Sequence, residues 1–254
     1  MLKAGFASVS FRKKTPKEII ELTAKAGLDG IEWASDAHVH EGDVKLAREV
    51  ADMTKSAGLE VSSYGSYYAL GSKQDITPFL ESAAALGAKQ MRIWPGHEPS
   101  CYLSHERRMM LVDGAINASR KAAEYGITLS TECHSYSLND NPASQALLLL
   151  EVNEKNFCTY WQALTEIPLE QQMHSLKAIY ATGKLTNLHV YWIDDKRERC
   201  LLEDAKDIWA ERFSLFKNDD TVRYAMIEFV KDDADENFYR DAKALRELID
   251  SANR

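Results

Sequence analysis

Residues 111–134 read LVDGAINASRKAAEYGITLSTECH. The first part carries apolar residues at helical spacing, and Gly126 falls where a helix stops, since glycine accepts the left-handed conformation that a stop commonly uses. The end alternates. Ile127, Leu129, Thr131 and Cys133 share one side of an extended chain, and Thr128, Ser130, Glu132 and His134 share the other. A helix, a glycine and a strand form one unit, and the strand ends in a carboxylate and an imidazole pointing the same way.

The unit recurs. EIIELTAKAG (18–27) leads into LDGIEWA, LAREVADMTKSAG (46–58) into LEVSSYGSY, and ITPFLESAAALG (76–87) into AKQMRIW. The second half keeps the rhythm with less glycine, in NFCTYWQ (156–162), KLTNLHVYW (184–192) and RYAMIEFV (223–230), each preceded by a helical stretch. With the opening KAGFASVSF, eight strands alternate with helices over 254 residues, about 32 per unit. Alternation of this kind makes a parallel sheet, and eight units at this length make a closed (β/α)8 TIM barrel. A single domain over 1–254 is expected, with no low-complexity linker. An open doubly wound sheet would place a glycine-rich phosphate loop after the first strand, and SVSFRKKTP is not one.

Composition narrows the function. The chain is 45% hydrophobic and 28% charged, with net charge −8 and pI about 5.4. An acidic chain without a basic tract is a poor partner for nucleic acid or an anionic membrane. The four cysteines are scattered without a CxxC, which fits thiols in a reducing compartment. The N-terminus has no apolar run of signal-peptide length, and ASQALLLLEV is too short to cross a bilayer. A cytoplasmic protein with a small-molecule substrate is expected, and exposed helices leave a homodimer open.

In such a barrel the active site lies at the C-terminal ends of the strands, where inward side chains carry the chemistry. The alternation aims Glu32, Arg92, Glu132, His189 and Glu228 inward, and the sixth strand ends in Gln162. Glu132, His189 and Glu228 fall at the same height on three strands. Two carboxylates and an imidazole converging there would repel or stay unsatisfied without a cation, and oxygen donors with one His suit Mn²⁺, Mg²⁺ or Co²⁺ at least as well as Zn²⁺.

The eight units, the AGLDGIE after the first helix, and the Glu, His and Glu on strands five, seven and eight resemble the xylose isomerase-like barrel superfamily. That group includes sugar isomerases and epimerases, inosose dehydratases, and an AP endonuclease branch with several zincs. The resemblance implies a divalent metal held by Glu132, His189 and Glu228. Where the sixth strand usually brings an Asp followed three residues on by His, this chain has YWQALT. Gln162 serves through its amide oxygen, or the metal has three protein ligands. The resemblance further implies an isomerase or epimerase of a small sugar or polyol derivative. Such an enzyme removes the proton alpha to a carbonyl through a metal-stabilised enediolate, with Glu132 and Glu228 as acid and base.

Around this set, His134 and Arg92 are expected to hold substrate hydroxyls or a carboxylate and Glu32 to contact the substrate with them, though Arg92 reads equally as a structural partner for Glu32. Tyr64, Trp33 and Trp94 are expected as an apolar wall against the sugar. Arg197, with Lys196 and Arg199, is expected to bind an anionic group. Two further readings compete: an AP endonuclease-type nuclease, for which His38 and His40 are the nearby histidines, and a sugar-binding barrel without chemistry.

Overall fold

A computed structural model describes residues 1–253. Eight parallel strands close into a barrel: β1 (Leu2–Ala7), β2 (Gly30–Ala34), β3 (Glu60–Ala69), β4 (Gln90–Trp94), β5 (Thr128–Thr131), β6 (Phe157–Trp161), β7 (Leu185–Val190) and β8 (Arg223–Ile227). Each pairs with its sequence neighbours, and β8 closes on β1 in the register Leu2–Arg223 through Phe6–Ile227. Eight helices cover the outside: α1 (Pro16–Ala26), α2 (Val44–Ser56), α3 (Thr77–Leu86), α4 (His105–Glu124), α5 (Pro142–Val152), α6 (Leu169–Ala181), α7 (Lys206–Ser214) and α8 (Asp235–Ala252). This is the expected (β/α)8 TIM barrel.

The helix boundaries follow the local chemistry. Thr15 and Glu18 form a capping box at the start of α1, with Pro16 in the first turn. Gly27 ends that helix at φ 68°. In the glycine-poor second half, Asn153 takes the same left-handed role after α5 at φ 49°. Besides the barrel, residues Trp192–Ile193 and Arg199–Cys200 pair as a short antiparallel hairpin in the loop after β7. The sequence reading did not foresee it.

The apolar core is divided. Most of it lies between strands and helices, with Phe6, Ile31, Trp33, Leu129, Trp161, Leu188 and Trp209 all buried. A separate small cluster of Tyr160, Tyr224 and Met226 plugs the barrel interior. Above this plug the interior is polar.

The plug needs room. A Cβ on Gly30 would lie 2.9 Å from the Tyr224 ring and 3.0 Å from the Glu60 carbonyl oxygen. The carbonyl belongs to the paired strand and cannot swing away. Gly30→Ala is therefore expected to lower stability by about 1–3 kcal/mol through overpacking, read as a lower urea midpoint with unchanged m-value. An unchanged midpoint would show that the strand has slack there.

Candidate metal centre at the barrel mouth

The two glutamates are fixed by the sheet itself. Glu132 follows β5, and its N–H donates to the Ile93 carbonyl at 3.0 Å; Glu228 follows β8, and its N–H donates to Val190 at 3.0 Å. Both continue the ladder by one residue. Gln162 follows β6, and His189 lies within β7 one position before its end. The four side chains therefore rise from four consecutive strands around one half of the rim. After Glu228 the backbone turns sharply, with Phe229, Asp232 and Asp233 at φ 55°, 58° and 48°. Positive φ on non-glycine residues is costly, and such residues gather at functional sites.

The side chains meet. One ligand atom each from Glu132, His189 and Glu228 all lie within 4.8 Å of one another. His189 Nδ1 donates to Gln162 Oε1 at 2.9 Å and lies 3.3 Å from Glu228 Oε2 and 3.9 Å from Glu132 Oε1. Its Nε2 faces Glu32 Oε1 at 3.3 Å. Arg92 donates from Nε to the same Glu32 oxygen at 3.1 Å and from Nη1 to Glu132 Oε2. Glu32 Oε2 accepts from Ser63 Oγ at 2.7 Å.

Burial makes the charges matter. Glu32, Arg92 and His189 are 1%, 2% and 0% exposed, and Glu132 and Glu228 are also buried. Three carboxylates face one guanidinium, which leaves two negative charges when His189 is neutral. Burial alone drives the His189 imidazole down, but the negative charges and polar contacts of Glu228 and Glu32 outweigh it and raise the group to about 10. Burial likewise disfavours ionised Glu32, yet Arg92, His189 and Ser63 hold its carboxyl well below the usual range. For Arg92, burial opposes the charge, and Glu132 and Glu32 more than restore it. The raised value favours the imidazolium, in which Nδ1 donates to Gln162 and Nε2 to Glu32.

This donor set fits a divalent cation. Two carboxylates, one imidazole and an amide oxygen suit hard or borderline metals. Glu228 Oε2 is a buried oxygen with no hydrogen-bond partner. A divalent ion replacing the His189 proton would also bring the buried cluster to neutrality. Glu132, His189 and Glu228 would hold it, with Gln162 Oε1 placed as a fourth donor.

A cleft of about 780 Å³ opens onto this centre, lined by Arg92, Trp94, Glu132, His134 and Glu228 among others. The His134 ring lies 4.7 Å from Trp94. Its Nδ1 donates to the Ser135 carbonyl at 2.6 Å, which leaves Nε2 as the ring nitrogen open to another partner. Several expected residues lie elsewhere. Trp33 and Tyr64 are wholly buried in the strand–helix core, and the Tyr64 hydroxyl donates to Val39 at 2.8 Å; neither lines the cleft. Strand parity explains this, since Trp33 alternates with the inward Glu32. Tyr67 and Phe229 line the cleft beside Trp94 instead. Glu32 sits behind the centre and does not reach the cleft. Arg197 occupies the tight turn of the hairpin at φ 63°, exposed and outside the cleft lining. Its neighbour Arg199 does line it, paired with Asp233 at 2.7 Å. The loop after β1 also contributes, through Arg12, Lys13 and Lys14. In the sequence, its basic run FRKK is the one signal of that contribution. His38 and His40 do not join the centre: both ring nitrogens of His38 are engaged, by Ser8 and the Lys14 carbonyl, and Nδ1 of His40 meets the Ser35 carbonyl.

A closed (β/α)8 barrel with a carboxylate–imidazole cluster at its C-terminal rim defines the class of protein. The sequence model of the xylose isomerase-like TIM barrel family matches residues 20–162, and the chain belongs to that family. Its fold is similar to that of the probable 3-DHS dehydratase AsbF involved in petrobactin synthesis from Bacillus anthracis, with TM-score 0.80, 16% identity, and coverage of 96% of this chain and 98% of that one. It is also similar to the IOLI protein with a binding zinc atom (TM-score 0.73, 16% identity, 98% and 99% covered). A third is D-allulose 3-epimerase from Methylomonas sp. in complex with D-allulose (TM-score 0.73, 18% identity, 98% and 96% covered). No curated protein matches the chain in sequence. Among the described residues, no helix is long and apolar enough to cross a membrane.

The His189 proton sets a pH dependence. Metal ligation needs a neutral Nδ1, so binding near neutral pH is expected to release about one proton per ion, and affinity to rise as pH increases toward about 10. Calorimetric titration with Mn²⁺ in buffers of different ionisation enthalpy measures it; a heat independent of buffer would contradict a charged His189. In the metal-free protein the same raised group stabilises the fold fully below its unfolded value near 6.5 and loses that contribution as pH rises through about 10.

Proposed function

We propose that this protein is a divalent-metal-dependent enzyme that removes a proton alpha to the carbonyl of a small sugar or polyol derivative, as an isomerase or epimerase. The observation that carries this reading is the convergence of Glu132, His189 and Glu228, with the two glutamates lining an open cleft and His189 buried behind them. A divalent cation held there would polarise a substrate carbonyl and stabilise the negative charge that develops when the adjacent proton leaves.

The side chains supply the rest. Glu132 and Glu228 come from strands separated by β6 and β7, so they approach a small substrate from different directions. Arg92 restrains one oxygen of Glu132 and leaves Oε1 turned toward the centre. In this reading one glutamate takes the proton and the other returns it, to the opposite face for epimerisation or to the neighbouring carbon for isomerisation. In the same reading His134 and Arg92 hold substrate oxygens, and Trp94, Tyr67 and Phe229, which line the cleft, cover an apolar sugar face. A cleft of about 780 Å³ suits a ligand of this size. Loss of a hydroxyl after the same proton removal would make the reaction a dehydration, as the likeness to a dehydratase suggests. The nuclease reading gains nothing from the engaged His38 and His40 or from the net charge of −8.

The Mn²⁺-loaded protein is expected to exchange solvent deuterium into a ketose, an inosose or hydroxypyruvate at the carbon beside the carbonyl. Glu228→Gln should slow exchange about 10²-fold or more, with product analysis by NMR separating isomer, epimer and dehydrated product. Loaded protein that binds a sugar yet exchanges nothing would leave a binding barrel without this chemistry.

A further inference from the structure

Glu32 is the one acidic member of the buried cluster that neither lines the cleft nor belongs to the three-residue ligand group. It is nonetheless the most connected. Its Oε1 lies 3.3 Å from His189 Nε2 and 3.1 Å from Arg92 Nε, and its Oε2 accepts from Ser63 Oγ at 2.7 Å. Arg92 in turn reaches Glu132. One carboxylate therefore orients two of the three candidate ligands, His189 directly and Glu132 through the guanidinium.

A buried ion pair is a poor device for stability, because desolvation offsets much of its attraction. The chain even reserves space for this one. A Cβ on Gly65 would lie 2.9 Å from Glu32 Oε1 and 3.0 Å from Arg92 Nη2. With Nε2–H committed to Glu32, Nδ1 is the nitrogen that faces Gln162, Glu132 and Glu228. A carboxylate behind a ligating histidine fixes its tautomer and ring orientation and makes it a better donor.

We propose that Glu32 is a positioning residue of the metal centre, holding His189 with Nδ1 toward the ion and aligning Glu132 by way of Arg92. This rests on the metal-dependent reading above. It touches no substrate, so its effect falls on metal affinity before activity.

Free Mn²⁺ measured by electron paramagnetic resonance gives the affinity of each variant, with circular dichroism confirming the folded state. Glu32→Gln keeps the shape and removes the charge, and is expected to weaken Mn²⁺ binding about 10–100-fold. Ser63→Ala, a milder change for use if Glu32→Gln does not fold, should weaken it in the same direction by a smaller factor. Gly30→Ala, which strains the plug and leaves these contacts alone, should bind within about twofold of wild type. In the Zn²⁺-loaded protein, ¹⁵N shifts of His189 should report a metal-bound Nδ1 and a protonated Nε2, and Glu32→Gln should change them. Wild-type affinity and unchanged His189 shifts in folded Glu32→Gln, or wild-type affinity in Ser63→Ala, would overturn the role of Glu32 while leaving the metal centre standing. Wild-type protein that binds no Mn²⁺ would remove the metal-dependent reading itself, and this role with it.

Discussion

Three carboxylates, one guanidinium and one imidazole share a space from which water is almost wholly excluded, and the rest of the mouth is arranged around that fact. Removing one partner from such a set leaves an uncompensated buried charge, which costs more than the pair ever contributed. Each member of the cluster therefore depends on the others. In the metal-free protein the His189 proton supplies part of the missing positive charge. A divalent ion would supply it fully, so proton and metal compete for the same deficit rather than for the same atom alone.

The barrel makes this concentration of charge tolerable. Its apolar core lies mostly outside the strands, between sheet and helices, so the interior is free to be polar once Tyr160, Tyr224 and Met226 have sealed its lower part. Strand ends then set the height of each ligand. Glu132 and Glu228 stand one residue beyond their strands yet still donate to the neighbouring strand, which gives each carboxylate the rigidity of the sheet and the reach of a loop. The left-handed turn at Phe229 lets the chain leave immediately afterwards, so that its ring and Asp233 build the cleft wall with Arg199.

The barrel and the inward residues were legible in the sequence because both follow from periodicity. Helix, glycine and strand repeat, and within each strand side chains alternate, so Glu132, His189, Glu228, Arg92 and Glu32 could be placed inward from parity alone. The same parity turns Trp33 away from the mouth, and its aromatic character does not override it. What lay beyond parity was the loops. No pattern marks a two-residue hairpin that puts Arg199 into the cleft and Arg197 at its turn. Nor does a pattern separate Glu32 as a substrate contact from Glu32 as a support, since both need an inward carboxylate. Depth decides, and depth is a tertiary property.

Gln162 is the residue that depth and charge together explain best. The resemblance places an aspartate at this strand end, and an amide there is a weaker donor. Yet a fourth carboxylate would leave the buried set with one negative charge even after a divalent ion had bound, and Arg92 is already committed to Glu32 and Glu132. With the amide, a cluster holding a divalent ion would be neutral. The amide also offers Oε1 to His189 Nδ1 at 2.9 Å without adding charge, so that nitrogen has a partner in the metal-free centre as well. An amide here would thus exchange some intrinsic affinity for a centre whose charge closes once a divalent ion is bound, with Glu32 and Arg92 behind it.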